Sequence, residues 1–294
     1  CGSANWHGGC AASNWDNRNT GADAPRLPGS DPADRVFIAD ADVTLADQAV
    51  ELFSIDATGS LAVRNALTIA QASSIENLLL ASDLTVAGPL TLSGPGGMWE
   101  SGTISGPGGV TLLGASTQTA RFVVDTEGVV TLNTAMTAGS IGSLSVDDGT
   151  LHLADGGSVL IDGLEAALTL SSGRVTQAAA NPARYAVEST GQLVKSGSGT
   201  AVVEARYRQT GGVGLIGGGE LVFEGDVLFG MDTEILEDAA LTFASAAETV
   251  WQEAVFTGAG AIRVAGASVE ARGRVSVDLA DGGELVLEGG AGIV

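Results

Sequence analysis

"GPLTLSGPGGMWESGTISGPGGVTLLGAS", residues 88–116, states one short pattern twice. Leu90-Thr91-Leu92 precedes a Ser-Gly-Pro-Gly-Gly segment, and a second such segment precedes Val110-Thr111-Leu112. Each triplet alternates apolar and polar residues, which is the period of a strand with one buried face. Glycine-rich segments allow tight corners between strands. The repeat therefore predicts a chain that coils and returns to the same position after about twenty residues.

Apolar-x-apolar triplets of this kind recur along most of the chain. They are Val43-Thr44-Leu45, Leu61-Ala62-Val63, Leu84-Thr85-Val86, Val130-Thr131-Leu132, Leu151-His152-Leu153, Leu168-Thr169-Leu170, Leu221-Val222-Phe223, Leu241-Thr242-Phe243, Ile262-Arg263-Val264 and Leu285-Val286-Leu287. One turn cannot bury its inward face alone, so turns stack and their strands pair in parallel. The spacing predicts an all-β parallel β-helix (β-solenoid) over residues 36–294, with about a dozen turns and a length of roughly 60 Å.

Two stretches resemble a known group of proteins. "MWESGTISGPGGVTLLGAS" (98–116) resembles the repeats of secreted bacterial adhesin-like and autotransporter-like right-handed parallel β-helix surface proteins. The segment 5–45, with its paired Asn-Trp motifs and Pro/Asp-rich turn, is similar to the N-terminal segment of such proteins. The resemblance implies a right-handed coil at a bacterial cell surface. These families include adhesins, filaments and polysaccharide-processing enzymes, so the fold does not choose among them.

Composition restricts the partners. Aromatic residues make up only 4% of the chain, which predicts a core of Val, Leu, Ile and Ala, and the formal net charge is −22. An acidic surface of this kind repels nucleic acids and anionic membranes. The sequence contains no run of eighteen apolar residues, so it predicts no membrane-spanning helix. We expect an extracellular or cell-surface location and no cofactor.

Residues 1–35 are predicted to form an N-terminal cap over the first turn, because solenoids need their edges covered. Trp6 and Trp15 suit this role, with sugar stacking as the alternative. Cys1 and Cys10 are expected to form a disulfide in an oxidising compartment. The alternative is a lipid anchor on Cys1, as in bacterial lipoproteins, which leaves Cys10 unpaired.

One candidate ligand-binding cluster appears where the periodicity weakens, in residues 171–199. Arg184 and Tyr185 precede Arg206, Tyr207 and Arg208 by 22 residues, close to one turn. In register, the two groups would form a cationic-aromatic patch for an acidic saccharide or for a partner's carboxylates. The alternative is two ordinary outward rows in which Glu188 and Glu204 neutralise the arginines.

No catalytic or metal-binding motif is recognised. Polysaccharide lyases of this fold bind calcium through clustered aspartates, but the run of Asp31, Asp34, Asp40, Asp42 and Asp47 lacks regular ligand spacing. His152 is expected to face solvent. A non-enzymatic role is therefore expected, with a polysaccharide-binding or polysaccharide-cleaving enzyme (a glycan lyase or hydrolase) as the alternative.

Outward threonines suggest a second alternative, ice binding. They are Thr44, Thr68, Thr85, Thr91, Thr111, Thr131, Thr169 and Thr242. Each strand offers one threonine where such arrays usually have two, and outward threonine is also favoured by β-propensity alone.

The C-terminal segment "GGELVLEGGAGIV" ends on a strand triplet without a plug. An open last turn leaves unpaired backbone groups above an apolar core. We expect a junction there, either with other subunits or with a continuation of the chain. The expected function is a non-catalytic structural or adhesive module of a bacterial surface, assembling end to end into filaments, with surface glycans as a further partner class.

Overall fold

The computed structural model describes residues 3–5, 16–17, 22–23, 31–39, 41–114, 120–139, 141–244, 248–266 and 268–294. In these residues every regular element is a β-strand. Each turn of the coil contributes strands to three faces, which are named here the first, second and third face in the order in which the chain visits them.

The strands of each face pair in parallel with those of the turns before and after. The first face contains β4 (Arg35–Ile38), the start of β7 (Ser54–Val63), the start of β9 (Ser73–Ala81), β11 (Leu90–Leu92), β14 (Val110–Leu113), β17 (Ala135–Gly139), β20 (Ser158–Asp162), β23 (Val187–Ser189), β26 (Tyr207–Gln209), β29 (Val227–Phe229), β32 (Thr249–Gln252), β35 (Ser268–Arg272) and β38 (Gly292–Ile293). The second face contains β1 (Ser3–Asn5), β5 (Asp42–Leu45), the ends of β7 and β9, β12 (Gly97–Ser101), β15 (Ala120–Val124), β18 (Gly142–Val146), β21 (Ala167–Leu170), β24 (Gln192–Lys195), β27 (Val213–Ile216), β30 (Asp232–Ile235), β33 (Val255–Gly258) and β36 (Ser276–Leu279). The third face contains β6 (Val50–Leu52), β8 (Leu67–Ile69), β10 (Leu84–Val86), β13 (Thr103–Ser105), β16 (Val129–Asn133), β19 (Thr150–Leu153), β22 (Arg174–Gln177), β25 (Thr200–Val203), β28 (Gly219–Phe223), β31 (Ala239–Phe243), β34 (Ala261–Ala265) and β37 (Glu284–Glu288).

The third face is a 12-stranded ladder, so the predicted parallel β-solenoid of about a dozen turns is confirmed. Before the first turn, β1 extends the second face by pairing with β5, and β2 (Asp16–Asn17) pairs with β3 (Ala22–Asp23) in an antiparallel ribbon. The cap predictions for Cys1, Cys10, Trp6 and Trp15, and Asp40 of the aspartate run, lie outside the described residues.

The repeat in residues 88–116 is only partly a repeat of structure. Leu90-Thr91-Leu92 does pair in register with Val110-Thr111-Leu112 on the first face. The two Ser-Gly-Pro-Gly-Gly segments, however, form different corners: the first leads from the first face to the second, and the other leads from the third face to the first. A spacing of twenty residues also suggests that Val130-Thr131-Leu132 stacks on Val110-Thr111-Leu112. Thr111 instead pairs with Thr137, and Thr131 lies on the third face. Turn length therefore varies while the three faces persist.

The glycines of these two corners meet different requirements. A Cβ atom on Gly94 would lie 2.3 Å from the carbonyl oxygen of Glu76, so the preceding turn excludes a side chain there. Gly106 has the same restriction, with a Cβ 2.3 Å from the oxygen of Val86, and also has φ +108. A residue with a side chain is disfavoured at that φ.

The core runs through the coil as stacked columns of inward side chains. Leu and Val dominate the first eight turns, as the composition predicts, but the aromatic residues are concentrated in the later turns. Phe223 stacks on Phe243 with centroids 5.8 Å apart, and Phe229 stacks on Phe256 at 5.7 Å. The expectation of an aliphatic core is thus wrong for this part of the coil, where a few aromatic rings fill the volume.

Lys195, the single lysine of the chain, points into the core. It stands in a column between Leu170 and Ile216, and its side chain is fully buried. The Nζ atom donates to the carbonyl oxygens of Ser196 at 2.7 Å, Gly197 at 2.9 Å and Gly218 at 3.1 Å. The ammonium thus satisfies carbonyl groups of the corner, and desolvation lowers the pKa of Lys195.

We predict that Gly106→Ala lowers the free energy of unfolding by at least about 2 kcal/mol, because both the positive φ and the Val86 carbonyl oppose a side chain. Gly139→Ala is the control, since a Cβ there meets nothing within 4 Å. It should change stability by less than about 1 kcal/mol. Urea unfolding followed by circular dichroism measures the stability of both variants. Equal losses would contradict the conclusion that the corner at Gly106 excludes a side chain.

A second prediction concerns pH. Because the folded-state pKa of Lys195 is lowered, the unfolded chain binds more protons between that value and the usual lysine pKa of 10.5. The free energy of unfolding of the wild type, relative to Lys195→Met, should therefore increase as pH rises through the folded pKa toward 10.5. Paired urea titrations from pH 7 to pH 10 test this, and a pH-independent difference would refute it.

Candidate functional site

The corner between β22 and β23, residues 178–186, contains Arg184 and Tyr185 of the predicted ligand cluster and is anchored by Asn181. The buried Asn181 side chain donates through Nδ2 to the carbonyl oxygens of Ala154 at 2.7 Å and Gly157 at 2.8 Å. Its Oδ1 atom accepts a hydrogen bond from the backbone N–H of Ala183 at 3.0 Å. Residues 178–186 thus form an elongated corner, in the region where the periodicity of the sequence weakens, and the corner is tied to the turn before it.

Arg206 fastens the same corner from the following turn. Its Nη2 atom donates to the carbonyl oxygen of Asn181 at 2.7 Å, and its backbone N–H donates to Oε1 of Gln177 at 3.0 Å. The Arg206 carbonyl oxygen accepts from the backbone N–H of Ala186 at 2.9 Å. This arginine therefore makes its hydrogen bonds within the protein and is half-buried.

Tyr207 does not belong to a surface patch, contrary to the expectation from the sequence. It stands in the inward column between Val187 and Val227, is fully buried, and pairs through its hydroxyl with Oε1 of Gln209. Burial raises the pKa of the Tyr207 phenol, and a hydrogen bond with Ser189 opposes that change only in part. A neutral ring in the core cannot contact an external ligand.

The exposed part of the cluster consists of two small groups. The guanidinium of Arg184 lies 5.4 Å from the ring centroid of Tyr185, and Arg208 pairs with Glu188 at 3.3 Å. The 22-residue spacing suggested that the two groups would lie in register on neighbouring turns. They do not, because Arg208 pairs in register with Glu188, whereas Tyr185 lies in the corner before β23. Glu188 neutralises Arg208 as the alternative proposed, while Glu204 pairs with Arg174.

A groove of about 390 Å³ runs along the edge between the second and third faces in the last five turns. Its wall includes Thr200, Asp238 and Glu284, with Glu220 and Arg263 between them. Glu220 Oε1 accepts from Thr242 Oγ1 at 2.6 Å and from Arg263 Nη1 at 3.4 Å, across two turns. The lining is acidic, and its one guanidinium is already paired. Sequence reasoning missed this groove, although Thr242 and Arg263 occupy the outward position of consecutive triplets.

The outward threonines are divided among the faces. Thr91 and Thr111 continue to Thr137 on the first face, while Thr44 and Thr169 stand on the second. Thr68, Thr85, Thr131 and Thr242 stand on the third face. The eight residues do not form one array.

Two absences hold for the part of the chain that the structure describes. No group of three or more His, Cys, Asp and Glu side chains is arranged to hold a metal ion there. None of its elements is a helix long and apolar enough to cross a membrane.

No protein-family model, no curated protein and no solved structure matches this chain. The fold therefore defines its class, a parallel β-solenoid protein.

We predict that Arg206→Ala lowers the free energy of unfolding by about 1–2 kcal/mol, since the Asn181 carbonyl loses a charged donor. Arg184→Ala, which removes an exposed guanidinium, should change stability by no more than about 0.5 kcal/mol. Hydrogen exchange in residues 178–186 should accelerate only in Arg206→Ala. Unchanged hydrogen exchange in Arg206→Ala would contradict the role of Arg206 in holding this corner.

Proposed function

We propose that this chain is a non-catalytic structural or adhesive module of a bacterial cell surface, a stiff rod that joins other β-structure at its C-terminal edge. The observation that carries this proposal is the exposure of core positions in the last described turn. Leu285 and Leu287 are 39% and 47% exposed, whereas Ile262 and Val264, at the same positions one turn earlier, are 0% exposed. A further strand stacked on β37 would bury both leucines and pair its backbone.

The rod itself supports a mechanical role. Parallel ladders run through about twelve turns with one continuous apolar core, so bending the coil would break backbone hydrogen bonds and core contacts together. Two of the three arginines of the predicted binding cluster also serve the fold, since Arg206 holds a corner and Arg208 pairs with Glu188. The resemblance of residues 98–116 to adhesin-like repeats supports a bacterial surface as the location, with extracellular glycans as an additional partner class.

A glycan-active enzyme is the second candidate, and the groove around Glu220 favours it. Carboxylates at an open groove are the groups that glycosidases use as acid and base. Glu220 is engaged by Thr242 and Arg263, however, and the lining residues of the groove include no aromatic side chain for a sugar to stack on.

Where the edge joins another subunit, rather than a continuation of the chain, the end-joining role predicts self-association of the 294-residue chain that depends on its last turn. Leu285→Lys with Leu287→Lys should reduce the fraction of end-to-end assemblies seen by light scattering and electron microscopy, because burying two ammonium groups that lack hydrogen-bond partners against a stacked strand is unfavourable. Leu113→Lys with Leu160→Lys is the control, because these exposed leucines lie on the first face away from the edge. A stable monomer whose β37 amides are protected by its own residues would refute the end-joining role.

The enzymatic alternative is separated by a reducing-end assay and a glycan array with acidic polysaccharides. The structural role predicts no turnover. Turnover that disappears in Glu220→Gln or in Arg208→Ala would favour the enzyme over the structural module.

A further inference from the structure

The outward side of the second face carries a long uncharged column. Over eight consecutive turns, from β7 to β27, the residues in register on this face are neutral: Ala62, Leu79, Met98, Val123, Ser145, Thr169, Val194 and Leu215. Six of these eight side chains are apolar. At about 4.8 Å between turns, the column is about 34 Å long.

The neighbouring column on the same strands is also nearly free of charge. It contains Ser60, Asn77, Arg121, Ser143, Ala167, Gln192 and Val213. Two charged residues interrupt this part of the second face: Glu100, in the bulge of β12, and Arg121 of β15, which pairs with Asp147 at 3.4 Å. Asp147 also accepts a hydrogen bond from the buried Ser145. These two columns are named here the neutral strip.

The solenoid fold does not require this neutrality. In the next turn the same two positions carry Asp232 and Glu234, both exposed and in register with Val213 and Leu215. Outward positions of the third face are also nearly free of charge in the same turns, with Arg174 as the exception, but they are mostly threonine and other polar residues, and the first face carries Glu188. Because outward residues are free of core packing, the apolar character of the second-face column, on a chain of net charge −22, is not explained by the fold.

Charge points to a second copy of this chain as the occupant. Two acidic rods repel one another wherever their charged faces meet, and this repulsion acts over about 8 Å at physiological salt. The neutral strip is a face on which identical chains can approach without burying unpaired carboxylates. A side-by-side pair related by two-fold symmetry would place strip against strip, with Val213, 54% exposed, and Leu215 among the residues buried.

The available area fits a weak dimer. A strip about 34 Å long and four residues wide, about 14 Å, covers about 500 Å² on each copy, or about 1,000 Å² in total. That total lies at the lower limit for a specific protein interface, which corresponds to dissociation in the micromolar range.

We propose that two copies of this protein pack side by side through the neutral strip. This lateral contact is separate from the end junction and does not rest on the proposed function. Acidic corner residues such as Asp147 and Asp125 flank the strip, so screening by salt strengthens the association.

Sedimentation of the chain from 1 to 200 µM, in roughly 20 mM and 500 mM NaCl, tests the proposal. The wild type should form a dimer that tightens several-fold at high salt. Val194→Glu with Leu215→Glu should remain monomeric at every concentration, because two like charges would face two others. Leu113→Glu with Leu160→Glu, which adds the same charge to the first face, should dimerise as the wild type does.

Two further measurements distinguish a lateral pair from an end-to-end pair and verify that each variant is folded. Small-angle scattering separates a lateral pair, which keeps the length of one rod and doubles its width, from an end-to-end pair of twice the length. Circular dichroism verifies folding, and Val213→Glu alone serves if the double variant misfolds. A wild type that stays monomeric at 200 µM in high salt, or a strip variant that dimerises as the wild type does, would overturn the proposal.

Discussion

The burial of each turn by its neighbours is the constraint on which the rest of the molecule depends. Ile262 and Leu285 occupy the same inward position in consecutive turns, yet the first is fully buried and the second is 39% exposed. The difference is the presence of a following turn. Burying one leucine contributes about 1.5–3 kcal/mol, so stacking supplies most of the free energy that holds any one turn in place. Register must then be kept on all three faces together.

Because register must be kept, the corners carry the strictest structural requirements in the coil. A corner can vary in length only if its polar backbone groups find partners and its closest approaches stay free of side chains. Lys195 supplies an ammonium to three corner carbonyls, and Arg206 with Asn181 supplies donors to the long corner at 178–186. Gly94 and Gly106 provide the free space. The polar side chains that look functional in the sequence are in large part the ones that close corners.

This division explains what could be predicted from the sequence. The alternating triplets predicted the parallel solenoid and its number of turns, because alternation is a local property of each strand. The face of each triplet could not be predicted, since corners of unequal length shift the count, as at Thr111 and Thr131. Tyr207 was misplaced for the same reason: its inward direction is set by pairing with Val187 and Val227, not by its neighbours in the chain. The groove at Glu220 is lined by residues of five turns, so predicting it required the correct register.

Core packing constrains the residue type at inward positions, and backbone geometry constrains it at corners. The residue type at outward strand positions is therefore the least constrained by the fold. On the first face some of these positions hold charges that are paired, between turns as in Arg208 with Glu188, or within one strand as in Glu270 with Arg272, whose hydrogen bonds lower the pKa of the Glu270 carboxyl. On the second face one column of outward residues is uncharged over eight turns. The two proposed contact surfaces lie in perpendicular directions. In the last described turn Leu285 and Leu287 are exposed along the axis, and the neutral strip faces across it. The two proposals assign extension and pairing to separate interactions, so a substitution in one surface should leave the other contact unchanged.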